Sequence, residues 1–459
     1  MEPTVSVVAA AVGTRLGAGK GRYVSTEPRA YSRLVAAALF LFLLLADWVL
    51  LNGPLLALRR ALVAAVALVA VPYAIRHRRA VVSTLLAPPL VFFAAFLAAG
   101  LALAPFAVAP WSAALHTLVF AGLTLFAVAV AGTISLAATL TVVRLTFALK
   151  LVGSLVLGFF GGRFASTGIF GFASSSLHER HLFGGLFGNP NPLCDAATAY
   201  LLLATCHLIE RGRQWPPGWR GGLQAVWYGL TIPVSAYLMW QSLSRSAWIG
   251  LAIVALLLGL LAHGRKSHTG LLWRRRALLL STGAIATIVT TLSLLIWLNT
   301  SRGLVKLTGS SAENTWRHIT SGAIFDTSLR PLFWNSAVTR IRERPWIGYG
   351  IASTPLIHIP PLGETLGFAH NLELEAALYA GIPAALLIVL FSVSSLKAAA
   401  RAFLARRPLA LPVAAVLFFF FLLAQVEPLI LSSPYPSLPI VLILAVHLGL
   451  PPEPDTQAH

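Results

Sequence analysis

Residues 111–131 read WSAALHTLVFAGLTLFAVAVA, a run without an acidic, lysine or arginine side chain. Its length matches the ~20 apolar residues that an α-helix needs to cross a bilayer. Comparable runs lie near 34–52, 61–75, 80–103, 133–160, 191–209, 222–243, 246–263, 277–298, 371–396, 409–429 and 434–450. The 459-residue chain is 57% hydrophobic and 11% charged, with a mean hydropathy of +0.80. Soluble domains carry about 25% charged residues, so lipid is the main solvent here. The expected fold class is an all-α polytopic integral membrane protein, with about 12 transmembrane helices and one large helical loop outside the bilayer.

Charge orients the chain. Lys and Arg number 34 against 15 acidic residues, for a formal net charge of +19. In a soluble protein that excess would point to nucleic acid. Here the basic residues sit between apolar runs, as the positive-inside rule requires, and no nucleic-acid partner is expected. An inside N-terminus places Arg15, Lys20, Arg22, Arg29 and Arg33 in the cytoplasm. It does the same for Arg76, Arg78 and Arg79, for Arg211, Arg213 and Arg220, for Arg265, Lys266 and Arg274 to Arg276, and for Lys397, Arg401, Arg406 and Arg407. Arg59 and Arg60, in the first short outer loop, resist the assignment.

The division that follows is a cytoplasmic tail at 1–33 and transmembrane helices at 34–298 with an outer loop at 161–190. A large outer loop at 299–369, further helices at 370–450 and a disordered cytoplasmic tail at 451–459 complete it. The first run ends in Ala46-Asp47-Trp48 rather than at a small-residue cleavage site, so it reads as an uncleaved span. Cys194 and Cys206 share one apolar stretch, ~18 Å apart on a straight helix, and imply neither a disulfide framework nor a metal site.

Three outer segments hold the polar chemistry. The first carries Arg163, His178-Glu179-Arg180-His181 and Gly188-Asn189-Pro190-Asn191. The second is the tight turn Ser244-Arg245-Ser246-Ala247. The third supplies Arg330, Arg340, Arg342 and Arg344, and ends in His370-Asn371. Arg330-Pro331 opens a helix, since proline suits a first turn. Trp334, Ala337, Val338 and Ile341 follow at the spacing of an apolar stripe, and Pro345 stops it.

Outer loops should be poor in arginine, so a surplus beside the membrane asks for an anionic partner. Guanidinium forks bind phosphate oxygens in pairs and stay charged. For Arg340, Arg342 and Arg344 the alternative is snorkelling to headgroups. Arg245 is more constrained, because it stands between two spans with almost no loop. His370, at the start of a span, is the candidate proton acceptor. Imidazole titrates near neutrality, and the positive end of a helix favours its neutral form. Glu373 lies one turn on and could orient the ring; the alternative for His370 is a helix cap or a surface residue. Outer carboxylates are sparse and show no Asp-x-Asp pair, and the histidines lack zinc spacing, so no metal is expected.

Taken in order, these segments resemble the O-antigen ligase family, which is grouped with O-antigen polymerases and protein O-oligosaccharyltransferases. The likeness rests on Arg180 followed by Gly188-Asn189-Pro190-Asn191, on Ser244-Arg245-Ser246-Ala247, and on Arg330 leading through Trp334 and Pro345 to Gly348-Tyr349-Gly350. It rests also on His370-Asn371 followed after nine residues by Gly381. Pro383-Ala384-Ala385 stand where the protein-modifying branch often has hydroxyl or β-branched residues.

The resemblance implies a polyprenyl-phosphate-dependent glycosyltransferase of the GT-C type, in the inner membrane of a Gram-negative bacterium with its site facing the periplasm. It would move O-antigen from undecaprenyl diphosphate to lipid A–core, with inversion and without cofactor or metal. His370 would be the base, and Arg245, Arg330, Arg180 and Arg163 would surround the diphosphate. Glu373, Asn371, His181 and Arg340 would support them. A polymerase, a protein O-oligosaccharyltransferase and a lipid-linked-glycan transporter are the alternatives. The transporter would want ionisable groups at the midplane, whereas the charges here gather at one face.

Overall fold

The computed structural model describes residues 29–46, 56–164, 185–187, 190–211, 219–242, 244–266, 330–354, 357–359, 364–365, 368–427, 430–431 and 437–449. The run at 277–298, Arg180 and His181 lie outside them. The helices are α1 (Arg29–Leu45), α2 (Leu56–Arg76), α3 (Arg78–Leu85), α4 (Leu90–Leu103), α5 (Pro110–Thr133) and α6 (Leu136–Phe164). They continue with α7 (Pro190–Arg211), α8 (Trp219–Ser242), α9 (Arg245–Lys266), α10 (Arg330–Glu343), α11 (Leu372–Leu404), α12 (Ala410–Leu423) and α13 (Ser437–Gly449). Two short strands, β1 (His358–Ile359) and β2 (Glu364–Thr365), pair antiparallel with His358 opposite Thr365. Among the described residues the architecture is otherwise helical.

Among the described residues, Pro110–Thr133, Leu136–Val156, Asn191–Glu210 and Leu372–Leu404 are long and apolar enough to cross a membrane. A fifth span results if Ala61–Arg76 and Arg78–Leu85, bent by 109°, are one broken crossing. The segments Leu90–Phe106, Ser246–Leu261, Ala410–Leu423 and Ser437–Gly449 are apolar but shorter.

The expected run at 80–103 is not one helix. Pro88-Pro89 divides it into α3 and α4, because proline offers no N–H and drives the preceding residue out of the α region. The bend between α2 and α3 falls at Arg76-His77-Arg78-Arg79, four polar residues that cannot continue straight through hydrocarbon.

The interior is aromatic and tightly filled. Phe391 of α11 packs between Phe93 of α4, 5.1 Å away, and Phe421 of α12, 5.8 Å away. All three are buried. Inside α6, Arg144 is held by Leu140 O at 3.2 Å and by the Tyr228 hydroxyl of α8 at 2.7 Å. Buried Lys150 lies over the Phe187 ring at 5.2 Å.

Two ends of the bundle are distinct. At one, Leu411 at the start of α12 donates its N–H to Glu210 at the end of α7, and Lys397, Arg401, Arg406 and Arg407 lie at the adjoining end of α11 and the turn after it. The first turns of α7, α9 and α11 meet at the other end, beside the last turn of α12.

There α11 is broken. Ala380 and Gly381 leave helical geometry, with Gly381 at φ +84. The segment Pro345–Gly350 enters the break. Tyr349 N–H donates to Leu378 O at 2.7 Å, Gly350 N–H to Tyr379 O at 2.9 Å, and Ile382 N–H to Pro345 O at 2.7 Å. Backbone groups freed by the break are thereby satisfied from protein, as an apolar setting demands. Gly348, at φ +63, approaches so closely that a Cβ would lie 2.6 Å from Leu378 O.

This clasp fixes α10. Trp334, Ala337 and Ile341 form its buried stripe. The Tyr349 hydroxyl donates to Glu343 Oε2 at 2.6 Å, and Arg340 Nη1 reaches both oxygens of Glu343 at 3.0 Å. Burial, then the bond to Glu343, pushes the Tyr349 phenol up to about 12. The same phenol and Arg340 hold the Glu343 carboxyl below its usual range. Arg344 stacks on Tyr349 at 5.1 Å and donates to Phe106 O at 3.3 Å. Arg340 and Arg344 therefore act in the clasp.

Candidate active site

Asn371 caps α11: its side chain accepts the Leu374 N–H at 2.9 Å. Its amide also donates to Gln425 O at 3.2 Å, and Leu372 N–H donates to Ala424 O at 2.9 Å, so the head of α11 is tied to the tail of α12. His370 precedes the cap at φ +52, a backbone state that non-glycine residues occupy at some cost. Glu375 supports it from below, accepting the Ala369 N–H at 2.6 Å and the Thr354 hydroxyl at 3.0 Å.

The imidazole stacks on Phe333 of α10, with centroids 5.6 Å apart and planes 12° from parallel. Its Nδ1 lies 3.8 Å from Glu427 Oε2 and has no hydrogen-bond partner. The side chain of Glu427 is 4% exposed, that of His370 27%. The other oxygen of Glu427 accepts from Asn191 Nδ2 at 3.2 Å and from the Ser246 hydroxyl at 3.3 Å. Ser246 in turn is 3.0 Å from the Ser244 hydroxyl. The first turns of α7, α9 and α11 thus meet at one carboxylate, with the first turn of α10 represented by Phe333.

The expected residues distribute as follows. His370 and Asn371 stand at this centre. Arg245 and Arg330 are the first residues of α9 and α10, respectively one and three positions from Ser246 and Phe333. Arg163 is the penultimate residue of α6. Arg340 belongs to the clasp. Glu373 does not touch the ring; its carboxylate accepts from Gln425 Nε2 at 3.0 Å. Its spacing would bring it beside the imidazole only if His370 were helical, and the left-handed backbone there removes that premise.

The carboxylate beside the imidazole is Glu427, which is absent from the outer carboxylates expected from sequence because it falls inside an apolar run. An ionisable side chain there was the available signal. Residues 230–389 match the family described as O-antigen ligase.

Over that segment the chain is similar to an O-antigen ligase domain.

No curated protein matches the chain. The matched segment contains Ser246, Phe333, His370 and Gly381. Asn191 and Glu427 complete the centre from outside it, on α7 and after α12. The match and the apolar helices support a membrane protein of the O-antigen ligase or polymerase type.

Proposed function

We propose that the protein is an O-antigen ligase that transfers glycan from undecaprenyl diphosphate to lipid A–core with inversion. One observation carries this: Asn191, Ser246 and His370, from three distant stretches, meet at one end of the bundle, where helix N-termini favour anions. Arg245 and Arg330, at the first positions of α9 and α10, supply cations for the diphosphate, with Arg163 and Arg180 as further candidates. His370 Nε2 takes the proton of the acceptor hydroxyl as its oxygen bonds to the anomeric carbon. The anomeric carbon–oxygen bond breaks, and the electron pair leaves on the diphosphate. A single base without a nucleophilic carboxylate suits one displacement with inversion.

Depth supports the same reading. Ile382–Leu404 alone spans about 34 Å, enough to cross a hydrocarbon core of about 30 Å. Trp346, at the α11 break, is 71% exposed and Trp111, in the first turn of α5, is 89% exposed; both suit a membrane boundary. His370 then stands outside the hydrocarbon core, roughly 12 Å beyond the break, on the headgroup side. Twelve crossings, the GT-C type of fold and an inner-membrane location with this end in the periplasm belong to the same reading.

Purified protein given lipid-linked O-antigen and lipid A–core is expected to form product at an undiminished rate in excess chelator, because arginines neutralise the leaving group. It is expected to form none when a second lipid-linked glycan is the only acceptor. Activity abolished by chelator and restored by magnesium would overturn metal independence; product with the second acceptor would identify a polymerase.

Sidedness is testable by single cysteines, in a background without Cys194 and Cys206. Asn335→Cys, on exposed α10, is expected to react with an impermeant thiol reagent in intact spheroplasts, whereas Ala405→Cys is not. The reverse pattern would place the site in the cytoplasm.

A further inference from the structure

We propose that Glu427 is the positioning carboxylate of His370, holding the ring in its reactive tautomer and balancing the charge formed when the proton is taken. The inference rests on the transferase reading above. Glu427 is buried, and a buried carboxylate is tolerated only with donors around it. One of its oxygens is occupied by Asn191 and Ser246. The other faces Nδ1 of His370 across 3.8 Å, and that nitrogen is buried without a partner. Phe333 blocks one face of the imidazole, so the ring can move mainly within its own plane.

An in-plane shift of about 1 Å brings Nδ1–H to hydrogen-bonding distance of the carboxylate. With Nδ1 protonated and bonded to Glu427, Nε2 keeps its lone pair for the acceptor hydroxyl. This is how a buried carboxylate serves a catalytic histidine in acyl transfer. The same side chain joins α7 and α9 to α11, so the base is set relative to the helices that begin with the NPN segment and with Arg245.

The groups to consider around the imidazole are Glu427 from the turn after α12, Glu375 on α11 and neutral Phe333, Asn191 and Ser246; Arg245 and Arg330, at the first positions of α9 and α10, are unchanged by the substitution. Glu375 is committed to Thr354 and the Ala369 N–H.

The test is Glu427→Gln, which keeps the size and one acceptor oxygen but not the charge, with Glu427→Asp as a charge-retaining companion. Steady-state transfer is measured from about pH 5 to 9 with lipid-linked donor and lipid A–core. For Glu427→Gln, kcat is expected to fall by at least about tenfold with donor KM little changed. Its acid limb moves to lower pH, since an imidazole without the anion protonates less readily. Glu427→Asp is expected to keep the limb near the parental position.

The limb is read per active molecule, so a variant that folds in lower yield still reports it. If Glu427→Gln is too unstable to assay, Glu427→Asp decides alone: an acid limb moved down despite the retained charge overturns the proposal. A parental limb and kcat in Glu427→Gln would reduce the residue to a structural tie. Those results leave the transferase reading intact while His370→Ala is inactive. An active His370→Ala defeats both.

Discussion

Replacing His370 with alanine is expected to slow glycan transfer by about two to four orders of magnitude, the usual worth of a positioned general base. Donor binding should stay close to parental, because the diphosphate is assigned to arginines. Asparagine is the sharper substitution. The cap of α11 is Asn371, not His370, and His370 sits at φ +52, which asparagine adopts more readily than histidine. His370→Asn should therefore fold as well as the parent or slightly better, yet be as slow as His370→Ala. Glu373→Gln should lose little, since its partner is Gln425. Thermal midpoints in detergent and single-turnover transfer separate the two properties. Near-parental transfer by His370→Asn would remove the histidine from the chemistry.

Gly381→Ala is expected to cost about 3 kcal/mol through a strained left-handed backbone and a forced overlap, and to take transfer down with stability. A Cβ at this position would lie 2.5 Å from both the carbonyl carbon and oxygen of Trp346 and 2.8 Å from Pro345 O. These are backbone atoms of the segment clasped in the α11 break, so no rotamer change relieves the contact. Opening the clasp frees α10 and with it Phe333, the face against which His370 stacks. Gly259→Ala is the control. A Cβ on that helical glycine would meet nothing within 4 Å, and alanine should be neutral or slightly stabilising. A Gly381→Ala protein that melts with the parent and transfers at its rate would show that the clasp does not hold the site.

Local pattern determined much of this protein. Apolar runs without charge dictate helices in lipid, and their solvent decides that without reference to neighbours. Arg330-Pro331, the stripe from Trp334 to Ile341 and the stop at Pro345 define α10, because cap, period and breaker lie within one short stretch. The His370-Asn371 pair marks a helix start for the same reason. The division at Pro88-Pro89 is equally local: hydropathy alone predicts one span at 80–103, and the missing N–H of proline overrides it.

What tertiary structure alone decided is who meets whom. Asn191, Ser246, His370 and Glu427 lie up to 236 positions apart, and no periodicity says which helix ends converge. Glu373 has the right spacing for a helical neighbour, but the left-handed backbone at His370 takes the ring out of that register and toward Glu427. Gly381 likewise reads as a motif letter in the chain. Its physical meaning, a break that receives Pro345–Gly350, exists only once the loop is folded back onto α11, because hydrogen bonds freed in one segment can be satisfied by another that sequence order places far away.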